Sequence, residues 1–200
     1  MNNYKTLRGS GKAQKEFKNS VFIGYARHVK NEVEAKVFIS EIKRLNEDAN
    51  HNVSAYFVKE EGSFALKYDD DGEPAGSSGK PVFKVIESKG LYNAAVVVTR
   101  YFGGIKLGFG GLSRAYRETA ASAIENAGIV EVFEETSFTA HFGYSEFQKI
   151  KNLIEEYGRI EQEKYSDSVE FYFFIKKDFE EEFREKLAKF TKNKFELKKA

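Results

Sequence analysis

Residues 100–117 read RYFGGIKLGFGGLSRAYR, a segment with five glycines, four basic residues and no acid. Glycines let backbone N–H groups come close to a ligand, and a helix that starts there adds the positive partial charge of its N-terminus. Arg114 and Arg117 are three residues apart and share a helix face, where they oppose the macrodipole by about 0.3–1 kcal/mol each. An anion such as a phosphate would relieve that cost. On this reading Arg100, Lys106, Arg114 and Arg117 supply charge, and Gly103, Gly104, Gly110 and Gly111 supply amides. The alternative needs no ligand: the arginines pair with the acidic run Asp69, Asp70, Asp71 and Glu73 or with Glu118, and the glycines make tight turns. The glycine spacing is neither a dinucleotide fingerprint nor a Walker loop.

A second window, residues 69–81, reads DDDGEPAGSSGKP. Its carboxylates lack the alternating spacing of a calcium loop. Ser77 and Ser78 lack a well-placed activating base, apart from Lys80 and the distant His51. His28, His51 and His141 show no metal-ligand spacing. No metal and no cofactor are expected, and the balance leans away from an enzyme.

The chain has 200 residues, 32 Lys+Arg against 31 Asp+Glu, and no Cys, which excludes disulfides, thiol nucleophiles and Cys-based metal sites. Its longest apolar run, Ala94-Ala95-Val96-Val97-Val98, is far short of a bilayer span, and the polar start lacks the apolar core of a signal peptide. The expectation is a cytoplasmic protein without a membrane partner. Residues 1–130 carry 19 basic and 15 acidic residues (+4), and residues 131–200 carry 13 and 16 (−3), so two domains are expected, 1–130 and 131–200.

In the first domain an opening strand holds Val21 and Ile23. Val33, Val37, Phe38, Ile42 and Leu45 mark an amphipathic helix, and 52–59 and 64–68 pair around Glu61-Gly62. A short helix starts at Pro81, 94–99 is a strand buried on both faces, and a helix from Leu112 to Ala127 stops at Gly128. Its buried stripe is Leu112, Tyr116, Ala120, Ala123, Ile124 and Ala127. The second domain reads βαββαβ, a ferredoxin-like order. Phe138, Ala140 and Phe142 lie on one strand, and a helix capped by Ser145 and Gln148 carries Phe147, Ile150, Ile154 and Tyr157. Strands at 159–165 and 168–176 follow. A helix capped by Asp178 and Glu181 carries Phe179, Phe183, Leu187 and Phe190, and a strand at Phe195 and Leu197 closes the order. Tyr172, Phe174 and His141 fall on the face away from this core, where aromatic rings can stack on RNA bases; packing against other protein is the alternative.

Asp70-Asp71-Gly72-Glu73-Pro74, the segment from Gly76 to Pro81, the run from Val98 to Gly108, Gly110-Gly111-Leu112 and His51-Asn52 together resemble the YigZ/IMPACT family over the whole chain. The resemblance implies an α+β fold: a first domain similar to elongation factor G domain four (ribosomal-protein-S-five domain-two-like) and a ferredoxin-like second domain similar to domain five. It marks Asp70, Asp71, Glu73, Ser77, Ser78 and Lys80 as a motif loop. Eukaryotic relatives are associated with translational control through a protein partner but lack this tail, so that partner does not transfer. Phe109 stands where many members have Thr, and Val53 where Cys is frequent. The expected role is a translation-linked binding protein whose partners are RNA, ribosome-associated factors or a regulatory protein. The alternatives are an enzyme on a small phosphorylated or acyl substrate, with Glu73 or Asp71 as base and Arg114 as clamp, and a protein-interaction adaptor.

Overall fold

The computed structural model describes residues 3–60 and 63–191, together with the backbone of 196–199. The chain divides into a unit Tyr4–Val132 and a second one built on Phe133–Ala200. The fold is α+β in both. No helix among the described residues is long and apolar enough to cross a membrane.

The first unit is built on an antiparallel sheet ordered β2-β3-β6-β4-β5, from β2 (Ser10–Phe17), β3 (Ser20–His28), β4 (His51–Glu60), β5 (Ser63–Asp69) and β6 (Ala94–Tyr101). A separate ribbon pairs β1 (Asn3–Leu7) with β7 (Ile129–Phe133). β6 is central and its apolar run is fully buried. Val96 and Val98 face a core shared with α2 (Gly79–Ser88) and α3 (Gly108–Ala127), while Ala95 and Val97 face α1 (Glu32–Leu45). Side chains alternate across a strand, so burial on both faces requires the unbroken apolar run seen in the sequence.

The stripe expected on α3 is buried in full, but the helix begins four residues before Leu112, at Gly108. On α1 the expectation is corrected: Ala35, Phe38 and Ile42 are buried, whereas Val33, Val37 and Leu45 point to solvent. The small Ala35, absent from the expected stripe, is fully buried in the core under that helix. Asn31 caps it by accepting from the amide of Glu34.

In the second unit β8 (Glu135–Phe142), α4 (Phe147–Tyr157), β9 (Gly158–Tyr165), β10 (Val169–Lys176), α5 (Glu180–Thr191) and β11 (Glu196–Lys199) follow in βαββαβ order, and the sheet runs β11-β8-β10-β9. Phe138, Ala140, Phe142, Phe171 and Phe173 bury against Ile150, Leu153, Ile154, Phe183 and Leu187. The expected caps do not form. Ser145 bonds the carboxylate of Glu146 and Gln148 bonds Asn152, and residues 177–179 make a short 3-10 turn before α5. Phe179 and Phe190 are exposed, so the buried part of the α5 stripe is Phe183 and Leu187. Tyr172 and Phe174 do lie off the core, edge-to-face with each other, with the Arg159 guanidinium over Phe174. The Glu61-Gly62 turn and Phe195 lie outside the described residues.

Candidate functional site

The acidic window and the glycine-rich window meet at one end of the first unit's sheet, but they do different work. The chain leaving β5 turns sharply through Asp71 and Gly72, both at positive φ, and this sends the three carboxylates in different directions. Asp70 becomes a cap for α2 from eight residues away. Its Oδ1 accepts from the amides of Ser78 and Gly79 and from the Ser78 hydroxyl, and its Oδ2 accepts from the amide of Gly76, all at 2.6–3.0 Å. Burial opposes the charge on Asp70, but these four donors together outweigh it and hold the carboxyl below its usual range. The anion-binding end of α2 is therefore already filled by the chain itself. Lys80 projects to solvent from the first turn of that helix.

Asp71 accepts from Lys43 Nζ at 2.6 Å and from the Asn52 amide at 2.6 Å, and its carbonyl oxygen lies 2.8 Å from His51 Nδ1. Here too burial pushes the carboxyl up, and the Lys43 and Asn52 bonds bring it below the ordinary value. Glu73 turns inward. One oxygen, Oε1, accepts from Arg100 Nη1 and from the Tyr116 hydroxyl, each at 2.7 Å, and His51 Nε2 stands 3.9 Å away. Glu73 is 8% exposed and Arg100 6%. Burial, then the neighbouring Glu73 charge, drives the Tyr116 phenol far up, so it stays a donor. Ser77 Oγ and Arg100 Nε are buried with no partner among the described residues.

Arg100 is thus an internal counter-ion, not an exposed phosphate contact, which corrects the role expected of it. Tyr116, Asn52 and Lys43 complete the cluster; Tyr116 was expected only in the buried stripe and Asn52 only in the His51-Asn52 motif, and Lys43 carried no signal. A tyrosine in an otherwise apolar stripe is the one clue, because a buried phenol needs a partner.

The glycine-rich segment is mostly outside. Gly103 is locked: its amide donates to Ser20 Oγ at 3.1 Å, and a Cβ there would lie 2.1 Å from the Asn19 carbonyl carbon. Gly104 and Gly108 have positive φ, and Gly110 faces open space. α3 has no side-chain cap at Leu107, and among the described residues no side chain is seen to bond its first amides, while helix geometry turns the Gly111 amide back toward Leu107. Phe102, Ile105, Lys106, Phe109, Arg114 and Arg117 are exposed. Arg114 pairs with Glu118 at 2.7 Å; among the described residues Lys106 and Arg117 have no ion pair.

The Impact N-terminal domain matches residues 18–124, and a domain of unknown function, DUF1949, matches residues 141–194. The IMPACT family member YvyE of Bacillus subtilis is 35% identical over 99% of this chain and 91% of its own length. YigZ of Escherichia coli is 31% identical over 91% and 90%. A crystal structure titled as that of a hypothetical protein is 29% identical and covers 100% of this chain and 98% of its own, with a TM-score of 0.65. With both domains matched in order and relatives similar along nearly their whole length, the chain belongs to the IMPACT family.

Proposed function

We propose that this protein is a binding module in translational regulation that holds the phosphate backbone of RNA against the exposed part of the glycine-rich segment. Membership of the IMPACT family supports the translational role. The RNA reading rests on one observation: Lys106 is exposed and unpaired among the described residues just before an α3 N-terminus without a side-chain cap, and Arg117, nine residues into that helix, is exposed and unpaired as well. Phe102 and Phe109, in the same segment, are also exposed. Cations and free amides position a phosphate chain, and the rings offer base-stacking surfaces.

A titration of unstructured RNA across salt tests it. Neutralising both Lys106 and Arg117 should flatten the slope of log affinity against log salt by about 1.4, at about 0.7 per single-stranded phosphate contact. Arg114→Ala should change it less, because Glu118 already answers that charge. No measurable affinity at low salt would overturn the proposal.

A second reading has its own observation. Ser77 Oγ and Arg100 Nε, buried and without a partner among the described residues, are polar atoms that a small acyl or phosphorylated compound would satisfy. A thermal-shift screen of metabolites separates the two, since a ligand at 100 times its dissociation constant stabilises by about 2.7 kcal/mol.

A further inference from the structure

The two edges of the first unit's sheet are protected very differently. β2, at one edge, carries Lys12, Lys15 and Glu16, and Asn126 of α3 donates to its Lys12 carbonyl. β5, at the other, has one side of its backbone unpaired among the described residues and displays Phe64, Leu66 and Tyr68 at 58%, 52% and 43% exposure. Charged side chains and covering elements are how proteins blunt such edges, and the three consecutive same-face positions of β5 carry no charge.

The three side chains lie on the side of the sheet that carries Phe57, Phe83 and Tyr92: Phe64 meets the rings of Phe57 and Tyr92, and Tyr68 meets Phe83. They therefore extend an aromatic cluster to the rim of the unit instead of standing as isolated exposed residues. The strand is also symmetric about its own midpoint. Ser63–Asp69 has Leu66 at its centre, with an aromatic residue two positions to each side. Paired antiparallel with an identical strand about a two-fold axis at Leu66, every residue of β5 finds a partner. Phe64 then lies opposite Tyr68, Leu66 opposite Leu66, and Ser63 opposite Asp69. An isologous interface demands such self-complementarity, and cross-strand aromatic and apolar pairs are what stabilise antiparallel neighbours. One Lys and one Asp leave the strand neutral, and the chain's +1 net charge sets up no strong repulsion between copies.

We infer that the β5 edge is a self-association surface, through which two copies join their five-stranded sheets about Leu66. A one-residue slip would place each apolar side chain on the wrong face, and a two-residue slip would leave Phe64 or Tyr68 of each strand without an apolar partner. This inference is independent of RNA binding, because β5 and the glycine-rich segment share no residue.

Sedimentation velocity of the full chain over a range of concentrations tests it, with two variants. Leu66→Lys replaces an exposed side chain, so folding should be intact by circular dichroism, while dimerisation weakens at least about tenfold. Leu66→Cys uses the absence of any natural cysteine. In the two-fold register the two introduced thiols face each other about 5 Å apart at Cβ. Oxidation or a short bis-thiol crosslinker should then give a covalent dimer, and Phe102→Cys, exposed elsewhere, should give far less. A chain that stays monomeric at every concentration overturns the proposal. So does a dimer indifferent to Leu66→Lys, or equal crosslinking at the two positions.

Discussion

Replacing Glu73 with glutamine keeps its shape and one acceptor oxygen for Arg100 and Tyr116 while deleting one charge, which makes it the sharpest test of the buried cluster. The side chains of Glu73 and Arg100 are 3% and 7% exposed, so the guanidinium left behind has almost no access to water. Stranding one member of such a pair costs about 3–5 kcal/mol. Removing both charges, in Glu73→Gln combined with Arg100→Met, should cost less than Glu73→Gln alone, since no isolated charge remains and Tyr116 keeps an acceptor. Hydrogen exchange followed by mass spectrometry on peptides from β6 and α3 reads the loss where it arises. The expected acceleration for Glu73→Gln is about two to three and a half powers of ten, at about 1.4 kcal/mol per decade. Arg114→Ala, at an exposed pair on α3, should leave these amides close to wild type. Acceleration below about fivefold for Glu73→Gln, or a double variant worse than the sum of the singles, would refute the claim that Glu73 is chiefly the counter-charge of Arg100.

The carboxyls of Asp70 and Asp71 sit below their usual range in the folded protein, so their contribution to stability is complete above the unfolded value of about 3.9 and drains away as pH falls through the folded value. Urea midpoints measured across acid pH should therefore drop in that window, and Asp70→Asn should make the drop shallower while lowering the midpoint at neutral pH. Gly103→Ala forces a methyl into the β2–β3 turn backbone and should destabilise by at least about 1–3 kcal/mol, whereas Gly110→Ala enters open space on a helix and should stabilise by up to about 1 kcal/mol. Thermal melts of the two variants check that contrast, and equal melting temperatures would break it.

The elements most legible in the sequence were those whose pattern leaves no choice of face. β6 is apolar at every position because it is buried on both sides, and the α3 stripe repeats across five turns. α1 was harder, because Val33, Val37 and Leu45 compete with Ala35 for the inner face, and periodicity counts large apolar residues more readily than a small one that fits. The start of α3 was hidden by glycine. Gly108, Gly110 and Gly111 each disfavour helix by about 1 kcal/mol, and the core contacts made further along by Leu112, Ala115 and Tyr116 override them. The site was legible only as separate motifs. Glu73, Arg100 and Tyr116 lie on three different elements or loops, and no local spacing could show that two donors converge on one carboxylate oxygen, with His51 3.9 Å away. The acidic window and the basic window were each visible; that Arg100, Tyr116 and Ser113 cross from one to the other follows from their inward directions on β6 and α3.

That crossing changes what the basic window can offer. Its formal +4 is reduced by Glu73, which neutralises Arg100, and by Glu118, which pairs with Arg114, leaving Lys106 and Arg117. Two phosphate contacts give only a shallow salt dependence and little affinity by themselves. Under the proposed function the remainder must come from Phe102 and Phe109, worth about 1–3 kcal/mol for each stacked base. Stacking needs bases with open faces, which a duplex withholds. The protein should therefore prefer single-stranded RNA to a duplex of the same length. Phe109→Ala should erase most of that preference with the salt slope unchanged, whereas loss of Lys106 and Arg117 should weaken both forms alike. Equal affinity for single strand and duplex, with Phe109→Ala silent, would mean that these rings serve some other contact and that two cations are all the surface presents to RNA.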